Sequence, residues 1–312
     1  MKLFIAYDGS ECSDVALDDL HLAGLPEDVD ARIFTVAEEV LAEALYPVEA
    51  LSTPMAWYPL RQPDPQPAPA KQIEQTREIA NGAANRLRRD FPAWRVGAET
   101  ACGSPAALIG EQIRTWEPDL VVMGCHGRHG FSRLMLGSVS QHVLNHSQCA
   151  VRIARPPARE RSGPIRLLIG VDASADAAQT VSAIARRAWP AGTQARVIGV
   201  IDAGIPLTIR CPSSDSSSAT HTYEEFRSWI GHTIRDAADD LHRAGLVASH
   251  QVLTGDPASV LMKEATDWNA DCIVVGARGI GTLHRLILGS VSSEVAAHAE
   301  CSVEVIRRPA GC

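Results

Sequence analysis

Several features that would assign this chain quickly are missing from it. No apolar run approaches the roughly 20 residues needed to cross a bilayer, so no membrane partner is expected. The opening, Met1-Lys-Leu-Phe-Ile-Ala-Tyr-Asp8, has one basic residue and an apolar stretch too short for a secretory signal. The eight cysteines include no Cys-x-x-Cys pair, which argues against a disulfide scaffold and for a reducing, cytoplasmic location. Positive charge is in deficit: 29 Lys and Arg against 37 Asp and Glu leave a net charge of −8, so no nucleic-acid partner is expected. There is no Walker Gly-Lys-Ser/Thr loop, no Gly-x-Ser-x-Gly elbow, no Ser-Gly-Gly-x-Asp-Ser loop and no His-x-Gly-His pair. No residue is therefore assigned a catalytic role.

What is present is a repeat. Gly124-Cys-His-Gly127, then nine residues and Gly137-Ser138, is matched by Gly276-Ala-Arg-Gly279, nine residues and Gly289-Ser290. Each follows a short apolar run, Leu120–Met123 and Cys272–Val275, and precedes a helix-like stretch. Strand, glycine loop and helix N-terminus together can cradle phosphate on backbone N–H groups. Gly103–Arg155 aligns with Gly255–Arg307 without a gap, matching Gly-x-Pro-Ala, Trp116-x-x-Asp119 with Trp268-x-x-Asp271, and Gly-Ser-Val-Ser. Phe4-Ile-Ala-Tyr-Asp8-Gly-Ser10 corresponds to Leu168-Ile-Gly-Val-Asp172-Ala-Ser174. A period near 150 residues means duplicated domains rather than a solenoid, and 312 residues suffice for two. The expected domains are 1–155 and 164–308, joined through the charged Pro/Gly segment Arg155–Pro164.

Hydrophobic periodicity predicts strands at Lys2–Tyr7, Arg32–Val36, Arg95–Thr100, Leu120–Gly124 and Ala150–Ala154. Helices are expected at Ser13–Ala23, Lys71–Arg89 (amphipathic, with Ile73, Ala80, Ala84 and Leu87 on one side), Pro105–Trp116 and Ser138–Asn145, and the pattern recurs from Ile165 to Ile306. Alternating strands and helices give the fold class: α/β, two tandem doubly wound parallel-sheet domains of about five strands each. Two long loops, the proline-rich Tyr46–Ala70 and the serine-rich Asp202–Thr220, read as flaps over the strand ends, with disordered filler as the alternative.

The signature Gly-x2-Gly-x9-Gly-Ser/Thr, preceded by Asp at the end of the first strand, occurs twice: Asp8/Gly124/Gly127/Gly137/Ser138 and Asp172/Gly276/Gly279/Gly289/Ser290. In this the chain resembles the ATP-binding universal stress proteins, as a tandem pair. The resemblance implies a Rossmann-like fold of the adenine nucleotide alpha hydrolase type, with ATP, with or without Mg2+, across the strand ends of each half. It also implies an internal pseudo-dimer in which Cys149–Ala154 pairs with Cys301–Ile306; a further homodimer is compatible with it. The nucleotide set it suggests is Asp8, Ser10, Val36, Gly124, Gly127, Arg128, Gly137, Ser138, Val139 and Ser140, with Asp172, Ser174, Val200, Gly276, Arg278, Gly279, Gly289, Ser290, Val291 and Ser292 in the second half.

The residue chemistry fits these roles. An Asp at a strand's carboxyl edge can accept from ribose or adenine, although Asp-Gly is also a turn. The glycines admit close backbone approach and positive φ where required. Serines at a helix start can hold phosphate or simply cap the helix. Family members commonly carry His-Gly-Arg in the loop, as the first half does, so Arg128 is the expected phosphate partner there and Arg278 its shifted substitute. Cys125-His126-x-x-His129 has zinc-type ligands but no distant fourth one in the sequence, so no metal site is assigned. The expected function is that of an ATP-occupied regulatory stress-response protein with an unidentified protein partner. The alternatives are a slow metal-dependent ATPase at the same sites and an interaction scaffold with one vestigial site.

Overall fold

The computed structural model describes residues 1–37, 70–127, 136–157, 163–172, 174–202, 223–279 and 288–307. In the first half, β1 (Lys2–Ala6), β2 (Asp30–Ala37), β3 (Arg95–Cys102), β4 (Leu120–Gly124) and β5 (Ala150–Ala154) alternate with α1 (Glu11–Asp19), α2 (Ala70–Asp90), α3 (Pro105–Trp116) and α4 (Ser138–His146). The second half repeats the order with β6 (Arg166–Gly170), α5 (Ala175–Ala185), β7 (Gln194–Ile201), α6 (Tyr223–Arg243), β8 (Val247–Thr254), α7 (Pro257–Trp268), β9 (Cys272–Gly276), α8 (Ser290–His298) and β10 (Ser302–Ile306). The flap readings at Tyr46–Ala70 and Asp202–Thr220 fall almost wholly outside the described residues.

The ten strands of the described residues join one sheet in the order β3-β2-β1-β4-β5-β10-β9-β6-β7-β8. Every pairing is parallel except β5 with β10, where Arg152 stands opposite Glu304. The expected pairing of the last strands is thus the seam between the halves. The central strands carry no alternation because helices cover both faces, and β4 is buried throughout. The edge strands β3 and β8 carry only exposed and half-buried residues, in near alternation along β3.

The two faces of the sheet are packed differently. On one, Phe4, Val121, Met123 and Ile153 share a single core with Leu168, Ile273, Val303 and Val305, closed by Ile109, Val143, Leu261 and Val295 from the helices. On the other, Leu3, Ile5, Leu17, Ala84 and Leu87 form one core and Leu167, Ile169, Ile184, Ile234 and Leu241 a second. Between these two cores lies a buried ionic network. Arg152 contacts Asp19 (Nε–Oδ2 2.5 Å) and Glu304 (Nη1–Oε2 3.1 Å), and Arg187 also binds Glu304. Trp189 of the second half packs its ring over Gly24, whose φ of 59° and lack of Cβ admit the indole.

The repeated Trp-x-x-Asp acquires a role here. Asp119 and Asp271 accept from the N–H groups of Lys2 (2.7 Å) and Arg166 (2.8 Å), fixing the start of each half's first strand. Trp116 and Trp268 lie under the guanidinium groups of Arg32 and Arg196 at 4.3 Å. Two expectations need correction. Ile73 is 42% exposed whereas Thr76, Ala80, Ala84 and Leu87 are buried; the 21-residue α2 is about one turn longer than the eight-residue strands beneath it, and the overhanging start of the helix leaves Ile73 uncovered. The helix expected over Ser13–Ala23 ends at Asp19 and continues only as a 3-10 turn over Leu20–Leu22.

Candidate functional site

Each half builds the same corner at the carboxyl ends of its first and fourth strands. Just beyond β1, Asp8 Oδ1 accepts from the N–H (3.0 Å) and hydroxyl (2.6 Å) of Ser10. Ser10 in turn caps α1 by accepting from the N–H of Ser13 at 3.3 Å. In the second half Asp172 Oδ1 accepts from Ser174 N–H at 3.0 Å, and Ser174 caps α5 by accepting from Ala177 N–H at 3.1 Å. In both halves the Asp carboxylate thus accepts from the Ser N–H while the Ser hydroxyl oxygen caps the helix that follows.

The remaining carboxylate oxygen of each Asp faces the glycine loop. A Cβ on Gly127 would stand 2.9 Å from Asp8 Oδ2, and one on Gly279 2.6 Å from Asp172 Oδ2. Sequence positions more than a hundred residues apart are thus brought together twice. The loop then returns to a helix: Gly137 N–H donates to Cys125 O and Gly289 N–H to Ala277 O, both at 2.8 Å. Gly137 and Gly289 are the N-caps of α4 and α8. The N–H groups of Ser138, Val139 and Ser140, and of Ser290, Val291 and Ser292, have no acceptor within their own helices. Two fans of donors, each at the positive end of a helix dipole, therefore sit beside a carboxylate corner. Val36 and Val200 are the penultimate residues of β2 and β7, half-buried against the shared core.

Several expected roles change. The signature glycines lie outside the left-handed region, so space rather than positive φ requires them. A Cβ on Gly124 would come within 2.5 Å of the Cys12 carbonyl oxygen, so this glycine admits the first turn of α1. Ser140 and Ser292 are buried, and their hydroxyls donate to Gly124 O (2.9 Å) and Gly276 O (2.6 Å), pinning helix to strand. Arg278, expected to substitute for Arg128 toward phosphate, is held by Asp176 through two hydrogen bonds, Nε–Oδ2 at 2.9 Å and Nη2–Oδ1 at 3.2 Å. A carboxylate matching the guanidinium fork outcompetes solvent for it. Arg128 lies outside the described residues. A cleft of about 610 Å³, reaching Asp18, Arg155, Arg166 and Asp271, opens elsewhere, at the amino ends of β6 and β9.

The family model for the universal stress protein family matches residues 1–155 and 165–307. The chain belongs to this family. It is 25% identical over 257 residues to the Mycobacterium bovis universal stress protein Mb2028c, covering 81% of this chain and 83% of that one. It is 34% identical over 83 residues to the Synechocystis universal stress protein Sll1388, covering 27% of this chain and 51% of that protein. The chain spans about half the length of the first curated relatives it matches. A solved universal stress protein from Archaeoglobus fulgidus aligns over 99% of this chain and 96% of its own, at 20% identity and a TM-score of 0.58, which shows the fold. Among the described residues of this universal stress protein, no helix is long and apolar enough to cross a membrane.

Sequence reasoning passed over Cys12 and Asp176. They occupy equivalent places, two residues after Ser10 and Ser174. Asp176 meets Arg278, and Cys12 meets Cys125 (Sγ–Sγ 3.7 Å), itself followed by His126, the counterpart of Arg278. The signal was a paired difference between the halves: where one position changes, so does its partner across the corner.

Proposed function

We propose that this universal stress protein binds one adenine nucleotide, ATP, in each half and uses nucleotide occupancy to regulate a surface presented to a protein partner. One observation carries the reading: each half sets an Asp carboxylate against a glycine loop that leads into a helix N-terminus. The carboxylates of Asp8 and Asp172 suit the hydroxyls of a ribose or the amine of adenine. The donor fans at Ser138–Ser140 and Ser290–Ser292 suit phosphate oxygens. Val36 and Val200, at neighbouring strand ends, complete the edge at which open α/β sheets take ligands. One solved universal stress protein, matching 47% of this chain at 21% identity with a TM-score of 0.34, was crystallised with cAMP; for this chain the support is its own corner geometry.

The two sites are not equivalent. The second carries a buttressing Asp176–Arg278 ion pair, the first two thiols and an imidazole, so unequal affinities are expected. The test is to purify the chain without added nucleotide, denature it and quantify released adenine nucleotide. Two ATP per chain are expected. Gly127→Val and Gly279→Val, each driving a side chain into its own Asp carboxylate, should each remove one. Mostly ADP would favour the slow ATPase, while no release and no rebinding would favour a scaffold. Stoichiometry unchanged in both variants would sink the cradle assignment.

A further inference from the structure

We propose that the first half holds one thiophilic metal ion of the zinc class between Cys12, Cys125 and His126. The three ligand atoms all lie within 4.8 Å of one another. Cys12 Sγ is 3.7 Å from Cys125 Sγ, and His126 Nδ1 is 3.2 Å from the same sulfur. Two thiolates bound at about 2.3 Å to a tetrahedral zinc stand about 3.8 Å apart. The sulfurs are therefore already at the separation the ion imposes. They come from different elements: Cys12 from the first turn of α1, Cys125 from the loop after β4. The missing Cβ of Gly124 is what lets α1 approach this closely.

The second half shows what this position does. At the places of Cys12 and His126 stand Asp176 and Arg278, joined by two hydrogen bonds that tie α5 to the loop after β9. Among the described residues the first half shows no such ion pair at this place; its thiols offer each other only a weak S–H contact. A metal ion supplies the same cross-link by different chemistry. The surroundings suit it. Arg155, 4% exposed, lies close enough for its cation to favour the thiolates of Cys125 and Cys12, and its Nε and Nη1 have no hydrogen-bond partner among the described residues. The Nε2 of His126 is likewise buried without one.

On binding, two S–H bonds break, two sulfur–metal bonds and one nitrogen–metal bond form, and two protons leave to solvent. Neither sulfur changes oxidation state, and two thiolates neutralise a divalent ion. Three protein ligands leave a fourth position open. Because Gly127 follows His126 directly, the ion fixes the loop of the first corner as the Asp176–Arg278 pair fixes the second.

The test uses the full chain, reduced, nucleotide-free and stripped of metal under anaerobic conditions. Zn2+ is titrated against a chromophoric chelator, and Co2+ is added separately as an optical probe. One Zn2+ per chain is expected, with thiolate-to-cobalt charge-transfer absorption and two thiols protected from alkylation. Cys12→Ser and Cys125→Ser should each weaken binding more than about 100-fold, beyond the loss typical of an outer-shell partner. Asp176→Ala should leave it unchanged. The cobalt spectrum and thiol protection stand on the unaltered chain, so they hold even where Cys125→Ser fails to fold. The proposal is overturned by substoichiometric zinc, by a cobalt spectrum without thiolate bands, or by binding that survives Cys12→Ser. A reduced protein that takes no zinc yet oxidises to a Cys12–Cys125 disulfide would also overturn it, making the pair a redox couple.

Discussion

Glu304 is fully buried with two guanidinium groups for company. Burial alone pushes its carboxyl up; Arg187 and then Arg152 outweigh that and hold it below the usual carboxylate range. A carboxyl depressed in the folded state contributes stability that is fully present above its unfolded value, about 4.3, and is lost as pH falls through the folded value. The gap in urea midpoint between the native chain and Glu304→Gln should therefore be constant from pH 7 to about pH 5 and shrink below about pH 4.3. A gap that persists undiminished in acid would show that the charge at this position does not set it. At the thiols the opposing cation is too weak to reverse burial, which raises Cys149 to about 12 against Arg307 and Cys301 to about 12 against Arg155; burial with the neighbouring Cys12 raises Cys125 to about 11 against Arg155. At this scale the sequence was least legible. Asp8 and Gly127 could be named from their spacing, whereas the Asp176–Arg278 pair left only a paired difference between the halves as its trace. Side-chain partners follow from which elements touch, and that is decided by packing over long sequence separations.

The elements were largely readable because their signals are local. Proline at the starts of α3 and α7, the Gly-Ser starts of α4 and α8 and the apolar runs of β4 and β9 all sit where the sequence predicts them. The misreadings came where tertiary packing overrules periodicity, at the overhanging start of α2 and the early end of α1. The serines two residues into α4 and α8 are the instructive case. The family resemblance includes them in the nucleotide set, and each hydroxyl spends its proton on the last carbonyl of the preceding strand. Ser140→Ala leaves a buried carbonyl with one acceptor bond fewer and should cost about 1 kcal/mol. Calorimetric or urea unfolding checks this, and it should lower nucleotide occupancy of the first half only indirectly, through a less firmly seated α4. A stability loss of zero would mean that the hydroxyl does not anchor the helix.

At the scale of the whole molecule, the seam decides whether two halves make one folding unit. One core runs unbroken across it. The arginines that follow the last strand of each half reach reciprocally into the other: Arg155 donates to Ala296 O and Arg307 to Leu144 O, each at 2.5 Å. These exchanged contacts at helix carbonyls are symmetric, but the ionic network is not. Arg152 and Glu304 occupy equivalent positions with opposite charge. A double-mutant cycle of Arg152→Met and Glu304→Gln should show single losses of about 3–5 kcal/mol. The double variant should fall short of their sum by about 0.5–3 kcal/mol. Additive losses would mean that the pair does not couple the halves. The duplication was legible from the glycine spacing alone, whereas the polarity of its seam was not, since it rests on a strand register that no local pattern encodes.

That polarity also bears on the order of synthesis. The first half leaves the ribosome with β5 as a raw edge, because β10 does not yet exist, and such an edge is a template for any other strand. Two nascent copies meeting there in the same register would set Arg152 against Arg152. The coupling measured by the cycle is the strength of that refusal, seen from its favourable side. An edge guarded by a cation can wait, unpaired, until its own polypeptide delivers the one strand that carries the matching anion.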